Sequence, residues 1–369
     1  MSKLPEDIEI EILSWVPAKT LARFRCVCKP WCQLTLNPTF VHLNINRYSK
    51  TNPRLLISET SEKQLIYSLD SKARDAKPKR LNLPFFIKIP RHHVEVNGSC
   101  NGVVCLSKWE DCYLWNPITN EHVKLPYTPF VISSRFSPRT VFGFGYNSRT
   151  KEYKVVRFEF SSHQFGAKVY TLGRDSWKIL VRQSNSLYEV SSYNGVVQLN
   201  GAIHWMGAYH YHPYPYPIPE LDYEINLIIS FNLESEELQE IPCPSSLEFE
   251  NNYFSMCVLE GCLSMFYDDY GDHVEMWVMK DYGVMESWTK LFSIEVPPRS
   301  KYTTVLYIPN DGNTLISNDH RFRPFSVTGV RSRFKESCTH IETLLSIASL
   351  MTRNGVEIET ASMKNNKPE

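Results

Sequence analysis

The sequence predicts an α+β multidomain protein, in which a small N-terminal module of three to four helices precedes a large all-β domain. Two observations predict this class. Apolar residues recur every three or four positions up to about residue 46, but every two positions from about Pro53 onward. A pattern of paired strands also recurs several times in the second region. We therefore expect a helical module over residues 1–46, a β domain over residues 53–350 and a polar tail over residues 351–369.

Short helices are expected throughout the first region. The apolar stripe of the first helix consists of Ile8, Ile12, Leu13, Trp15 and Val16. Pro17 ends this helix, and two further helical segments follow over about residues 19–26 and 31–36. Asn37 and Pro38 form a cap and first-turn pair, which predicts one more helix after them.

Internal repeats in the β domain predict a β-propeller. Four segments share an apolar or aromatic strand, a polar turn and a second apolar strand. Their equivalent positions, 46 to 61 residues apart, are Leu114, Tyr170, Phe231 and Trp277. Asn-Gly pairs, which favour tight hairpins, precede them at residues 101–102, 194–195 and 200–201. Two hairpins per repeat make the four-stranded blade of a propeller.

The number of blades depends on two weaker units. These lie at residues 53–90 and 303–345 and bring the expected number to about six. A β-sandwich with coincidental repeats is the alternative. Residues 341–351 are compatible with either a closing strand or a short helix.

The helical module has more apolar side chains than a segment of its size can bury. A core of about 40 residues is too small to be stable alone. If half of its twelve large apolar side chains stayed in water, on the order of 10–18 kcal/mol of burial free energy would be lost. Either a partner protein covers them, or the helices fold back onto the β domain.

The residues from Leu4 to Phe40 favour a partner, because they resemble the F-box of plant F-box proteins. The resemblance rests on Leu-Pro-Glu-Asp-Ile at residues 4–8, Val-Pro-Ala-Lys at residues 16–19 and Arg-Cys-Val-Cys-Lys-x-Trp at residues 25–31. Thr35 replaces the usual Ile, and Val16 replaces a common Leu. The resemblance implies docking on a Skp-type adaptor, which connects to a cullin.

The same resemblance implies which residues contact the adaptor. They are Leu4, Pro5, Ile8, Ile12, Leu13, Pro17, Leu21, Phe24, Val27, Cys28, Lys29 and Trp31. Ile12 and Phe24 are also compatible with positions inside the helical core.

The β domain resembles the F-box-associated domain of plant kelch-like and S-locus F-box proteins. The resemblance rests on a series of motifs: Ser-Cys-Asn-Gly-Val-Val-Cys-Leu at residues 99–106, Leu-Trp-Asn-Pro at 114–117, Phe-Gly-Phe-Gly-Tyr at 142–146 and Asn-Gly-Ala-Ile-His-Trp at 200–205. No Gly-Gly pair of true kelch blades is present, so an irregular, kelch-like propeller is expected. The resemblance implies that this domain holds a target protein for an SCF-type (Skp–cullin–F-box) ubiquitin ligase, which ubiquitinates it for degradation.

The sequence contains no pattern typical of an active site, so we expect a non-catalytic protein without a cofactor or metal. The glycines of residues 142–145 are not followed by the Lys-Ser or Lys-Thr of a phosphate loop and are expected to allow close strand packing. His92-His93 and His210-x-His212 lack a carboxylate at helical spacing. The ten cysteines have no disulfide or zinc spacing and indicate a reducing compartment, the cytoplasm or nucleus.

Charge and hydropathy argue against nucleic-acid and membrane partners. Lys plus Arg and Asp plus Glu each number 40, so the net charge is zero. The N-terminus lacks the features of a signal peptide, and no apolar run is long enough to cross a bilayer.

The segment Tyr209–Pro219 alternates tyrosine and proline and is predicted to be a stiff, extended loop. Tyrosine is favoured at protein interfaces. We therefore hypothesise that the target is bound by Tyr209, Tyr211, Tyr214 and Tyr216. An exposed insertion without a role is the alternative.

Three other functions remain compatible with the sequence. A β-propeller enzyme or lectin would need a polar or metal-lined funnel. A cullin-independent scaffold would bind the adaptor alone. Within the ubiquitin-ligase class, a pollen S-locus role in self-incompatibility would make a secreted ribonuclease the target.

Overall fold

A helical module and a ring of β-sheets make up the described part of the protein. The computed structural model describes residues 4–59, 66–70, 78–83, 94–132, 139–161, 164–174, 176–184, 188–211, 223–245, 247, 253–268, 273–295, 303–307, 315–318, 321–324 and 334–351.

The helical module contains the four expected helices. They are α1 (Glu6–Leu13), α2 (Ala18–Phe24), α3 (Lys29–Leu36) and α4 (Pro38–Asn44), followed by a π-helical turn (Ile45–Ser49). The Asn37 side chain accepts a 2.8 Å hydrogen bond from the Thr39 amide, so Asn37 caps α4 as expected. Thr35 is buried, and its hydroxyl group donates to the Cys32 carbonyl at 3.0 Å.

Five antiparallel sheets have the four strands of a complete propeller blade. The first blade contains β1 (Arg54–Glu59), β2 (Ile66–Asp70) and β3 (Lys79–Leu81), together with the last strand of the chain, β23 (Phe334–His340). The next two blades contain β4 (Glu95–Cys100), β5 (Val103–Lys108), β6 (Asp111–Trp115) and β7 (His122–Lys124), then β8 (Arg139–Asn147), β9 (Glu152–Ser161), β10 (Gln164–Thr171) and β11 (Lys178–Ser184). The other two contain β12 (Tyr188–Leu199), β13 (Ala202–Tyr211), β14 (Tyr223–Asn232) and β15 (Leu238–Ile241), then β16 (Tyr253–Leu259), β17 (Cys262–Asp268), β18 (His273–Met279) and β19 (Trp288–Glu295).

The expected number of about six complete blades is not reached. The described residues contain five complete blades and one three-stranded sheet, formed by β20 (Thr303–Tyr307), β21 (Leu315–Asn318) and β22 (Arg321–Pro324). The sequence unit at residues 303–345 is therefore divided. Its last strand, β23, pairs with β1 and closes the ring instead of completing the last sheet. This pairing joins the two ends of the β domain in one blade.

The repeat positions found in the sequence occupy equivalent places in four blades. Leu114, Tyr170, Phe231 and Trp277 lie on β6, β10, β14 and β18, the third strand of each blade. The first three of these side chains are fully buried, and Phe231 packs in a core formed by the third and fourth blades. The repeat in the sequence therefore predicts the blade correctly.

Two of the three Asn-Gly pairs form the expected hairpin turns. Asn101-Gly102 and Asn200-Gly201 join first and second strands, with positive φ at both residues, as a tight type I′ turn requires. The expectation for the third pair is wrong, because Asn194-Gly195 lies inside β12, where the register with β13 shifts. A Cβ atom at Gly195 would lie 2.7 Å from the Met256 carbonyl oxygen, so a side chain there would collide with the next blade.

The glycines at residues 143 and 145 allow close packing, as the sequence predicts. A Cβ atom at Gly143 would lie 2.1 Å from the Trp205 ring, and one at Gly145 would lie 2.8 Å from Leu233. The Trp205 indole fills this space and donates to the Phe142 carbonyl at 3.2 Å. Glycine is required on β8 because the neighbouring blade places its largest side chain there.

The two faces of the propeller are defined by strand direction. Turns between first and second strands, and between third and fourth strands, lie on one face, which we call the near face because the helical module packs against it. Turns between second and third strands lie on the opposite, far face. The β13–β14 hairpin reaches the far face at the Tyr211–Tyr223 pair. The start of the Tyr/Pro segment, Tyr209–Tyr211, is thus part of strand β13 and not a loop.

The last described segment is a short helix, α5 (Ile347–Met351), which settles the alternatives left open for residues 341–351. Its apolar residues share one hydrophobic core with the helical module and with strands of the two blades that follow β3. Members of this core include Leu13, Leu21, Phe40, Val103, Leu114, Phe144, Leu345, Ile347 and Met351. The helices therefore fold back onto the β domain with one side of the module.

Candidate docking surface

The helical module has two apolar faces, of which one is buried and the other is exposed. The inner face is buried against the propeller and residues 344–351, as described above. The outer face is in solvent, where six large apolar side chains are 47% to 63% exposed. They are Leu4, Ile8, Ile12, Trp15, Val27 and Leu36. The sequence left open whether the helices fold back or bind a partner, and the structure allows both at once.

The outer face is built on α1 and on the turn between α2 and α3. Ile8 and Ile12 are four residues apart on α1, so they lie on the same side of this helix. The Trp31 indole donates to the Glu9 carboxylate at 3.2 Å, which brings the start of α3 beside α1. Phe24 packs on Trp31 with ring centroids 5.1 Å apart. Val27 lies between Phe24 and Trp31 in the chain and is exposed.

The twelve residues that the resemblance predicts to contact the adaptor differ in solvent exposure. Seven are exposed: Leu4, Pro5, Ile8, Ile12, Val27, Cys28 and Lys29. Three are half-buried: Pro17, Phe24 and Trp31. Leu13 and Leu21 are buried in the shared core. Ile12 is thus a surface residue and not a core residue, while Phe24 contributes to both. Exposed Trp15 and Leu36 were not in the set. The sequence placed Trp15 in the apolar stripe of the first helix, but α1 ends at Leu13, and Trp15 lies in the turn that follows.

Glu342 fastens the helical module to the ring. Its carboxylate forms ion pairs with Lys19 of α2 at 2.6 Å and with Arg54 of β1 at 2.7 Å, and its carbonyl accepts from the Ser49 hydroxyl at 2.7 Å. The carboxylate side chain is only 11% exposed, so the attraction is weakly screened. Glu342, two residues after the closing strand, therefore joins α2, the π-helical turn and the first blade.

Polar side chains of the second blade hold the segment that follows Glu342. The Asn116 amide donates to the carbonyls of Thr343 and Leu345 at 3.2 and 2.8 Å. The Glu121 carboxylate accepts from the Ser346 hydroxyl and the Ala348 amide at 2.8 and 3.1 Å, at the start of α5. This segment is a rigid bridge, because both its backbone and its side chains are bound to the ring. The outer face is consequently held in a fixed direction relative to the propeller.

A buried charged cluster supports the connection between the second and third blades. Glu159, Arg157 and Lys168 are all essentially inaccessible, and one Glu159 oxygen lies 3.2 Å from both cations. Arg157 and Lys168 also donate to Thr128, at 3.0 and 2.9 Å, and the Val131 amide donates to Glu159 at 2.6 Å. Burial lowers the pKa of Arg157 and of Lys168, and Glu159 opposes this effect. The cluster has a structural role, because its polar atoms bind the connecting loop.

The described residues contain no group of three His, Cys, Asp or Glu side chains arranged to hold a metal ion. His92, His93 and His212 lie outside the described residues, and for His210 only its backbone position in β13 is described. Tyr214 and Tyr216 also lie outside the described residues, while Tyr209 and Tyr211 belong to β13. Within the same described ranges, no helix is long and apolar enough to span a membrane.

Comparisons with known proteins match both regions of the chain. A family model described as an F-box domain matches residues 1–43, and one described as an F-box associated beta propeller domain matches residues 55–341. F-box protein CPR1 of Arabidopsis thaliana is 30% identical over 328 residues, covering 82% of this chain and 75% of that protein. An F-box/kelch-repeat protein of the same plant is 28% identical, covering 85% and 84%.

Solved structures resemble the chain only weakly. A Trypanosoma rangeli sialidase is 9% identical, with a TM-score of 0.39 over 78% of this chain and 51% of the sialidase. A luciferin-regenerating enzyme is 11% identical, with a TM-score of 0.37 over 72% of this chain and 88% of that enzyme. Neither similarity is strong enough to support an inference about function.

Proposed function

Because this chain belongs to the family of F-box proteins that carry an F-box-associated β-propeller domain, we propose that it is the substrate-recognition subunit of an SCF-type ubiquitin ligase. In this role the outer face of the F-box docks on a Skp-type adaptor, and the adaptor connects the protein to a cullin. The propeller holds a target protein where ubiquitin arrives. The protein contributes proximity instead of bond chemistry.

The observation that carries the proposal is the exposed apolar outer face. Burying the exposed half of each of its six large side chains would contribute about 1 kcal/mol per residue, or on the order of 4–9 kcal/mol in total. This gain can offset much of the cost of association. Seven of the twelve residues that family resemblance assigns to the adaptor are exposed on the module, and Leu13 and Leu21 instead stabilise it from inside.

The far face of the propeller is the proposed site for the target. The F-box occupies the near face, so a target on the far face would not compete with the adaptor. Trp109 lies at the far-face turn between β5 and β6 and is 63% exposed. The β13–β14 hairpin, which leads into the Tyr/Pro segment, ends on the same face. We propose that the tyrosines at 209, 211, 214 and 216 contribute to target binding there.

The proposal can be tested by co-purification of the full chain with a plant Skp-type adaptor. We expect Ile12→Asp to weaken binding at least about 30-fold, because a charge placed in a buried interface centre typically costs more than 2 kcal/mol. Leu291→Asp is the matched control, since Leu291 is 56% exposed on β19 and Ile12 is 55% exposed. Equal adaptor binding by both variants would contradict the assignment of the outer face.

A further inference from the structure

An open cleft of about 730 Å³ lies at the junction between the F-box and the propeller. Its walls come from three separate parts of the chain. Helix α4 contributes His42, near-face turns of the third blade contribute Lys151 and Arg174, and α5 contributes Leu350. The volume is within the range typical of small-molecule sites. The proposed docking of an adaptor uses the other side of the F-box, so it does not account for this cleft.

The cleft has an excess of positive charge. Within the described part of the chain, Lys151 forms no ion pair with a carboxylate. Glu152 is the carboxylate that lines the cleft, and it is already bound by Arg174 at 3.1 Å and lies 4.0 Å from Lys154. Burial lowers the pKa of His42, with the positive charges of Lys151 and Lys50 adding to the effect. The charges of two lysines therefore act on the imidazole in the same direction as burial.

The positions of these groups are fixed by the fold. The Asn147 side chain accepts from the amides of Arg149 and Thr150 at 2.9 and 3.2 Å, which holds the turn that carries Lys151. The Tyr146 ring packs against that of His42, with centroids 6.5 Å apart, and against that of Tyr153, with centroids 4.6 Å apart. Cationic side chains and packed aromatic rings thus line the same cleft, and the packed rings need little reorganisation when a ligand binds.

We propose that this cleft binds the phosphate group of a small anionic ligand. Lys151 and Arg174 supply the charge-assisted hydrogen bonds that phosphate oxygens prefer, and the rings of His42 and Tyr146 face the ligand body. Such a ligand would contact α4, the third blade and α5 together. It would therefore stabilise the arrangement of the F-box on the propeller.

Isothermal titration calorimetry of the full chain with inorganic pyrophosphate, against sodium chloride at equal ionic strength, tests the proposal. We expect saturable binding at one site, weakened about tenfold or more by Lys151→Asn. Asparagine is chosen because Lys151 has a φ of 58°, which asparagine tolerates well. Lys280→Asn, at an exposed position outside the cleft, should leave the affinity unchanged.

Two outcomes would overturn the proposal. One is heat without saturation, and the other is equal affinity in the Lys151 and Lys280 variants. If Lys151→Asn alters the unfolding temperature without ligand, Arg174→Gln in the other near-face turn of the third blade replaces it and must weaken pyrophosphate binding. The titration contains no adaptor, so its failure would not affect the proposed docking function, and success would not depend on it.

Discussion

Lowering the pH should destabilise the ring at its closing strand, because His340 is buried there as a neutral imidazole. His340 lies at the end of β23 and is 2% exposed. Its Nδ1 atom is 2.8 Å from the Ser99 hydroxyl of the next blade, while its Nε2 atom is buried without a hydrogen-bond partner. Burial, together with the positive charges of Arg54 and Lys19, lowers the pKa of His340 to about 3.

The sign and size of the effect follow from this lowered pKa. In the unfolded chain the imidazole binds a proton near its ordinary pKa of 6.5, but in the folded protein it remains neutral. Its contribution is fully present above pH 6.5 and is lost progressively as the pH falls toward 3. At pH 5 the pH lies about 1.5 units below the unfolded pKa, so His340 alone should cost about 2 kcal/mol of unfolding free energy.

Urea denaturation at pH 7.5 and pH 5, monitored by tryptophan fluorescence, measures this cost. Between pH 7.5 and pH 5, the unfolding free energy of His340→Gln should fall by about 2 kcal/mol less than that of the wild type. His204→Gln should behave similarly, because burial lowers the pKa of His204 to about 4. The reasoning would be refuted if His340→Gln kept the full pH dependence of the wild type.

Three further predictions concern the propeller. Glu159→Gln should lower the free energy of unfolding, measured by urea denaturation, by about 3–5 kcal/mol, because it leaves two buried cations without an anion. The control is the pair of Glu275 with Lys290, whose side chains are 16% and 46% exposed, and Glu275→Gln should cost less than about 1 kcal/mol. Gly143→Ala should lower the free energy of unfolding by about 1–3 kcal/mol, because the added methyl group displaces the Trp205 ring. If the same substitution were equally destabilising in a Trp205→Leu background, the clash with Trp205 would not be its cause. Deletion of residues 209–219 should weaken target capture while adaptor co-purification is retained; unchanged capture would exclude the tyrosines from the target site.

The helical module and the blade were determined by local patterns in the sequence. Pro17 and Asn37 precede α2 and α4, and the apolar residues of α1 are spaced three or four positions apart. Each of these signals depends only on residues that are close in the sequence. The repeat positions on the third strands could also be recognised in the sequence, because equivalent positions in different blades carry large apolar or aromatic residues. Asn101-Gly102 forms the expected turn because both residue types adopt the positive φ values that this turn requires.

Long-range pairing could not be determined from local patterns. The sequence assigned β23 to the last unit, but closing the ring pairs it with β1, about 280 residues away. Asn194-Gly195 has the composition of a turn, yet it lies at a register shift within β12. Glycine fits there because the backbone of the next blade leaves no room for a side chain. The division of the apolar residues of the F-box was likewise set by tertiary contacts. Leu13 and Ile12 are adjacent residues of similar hydrophobicity, but Leu13 is buried in the core that the helices share with the propeller, while Ile12 is exposed.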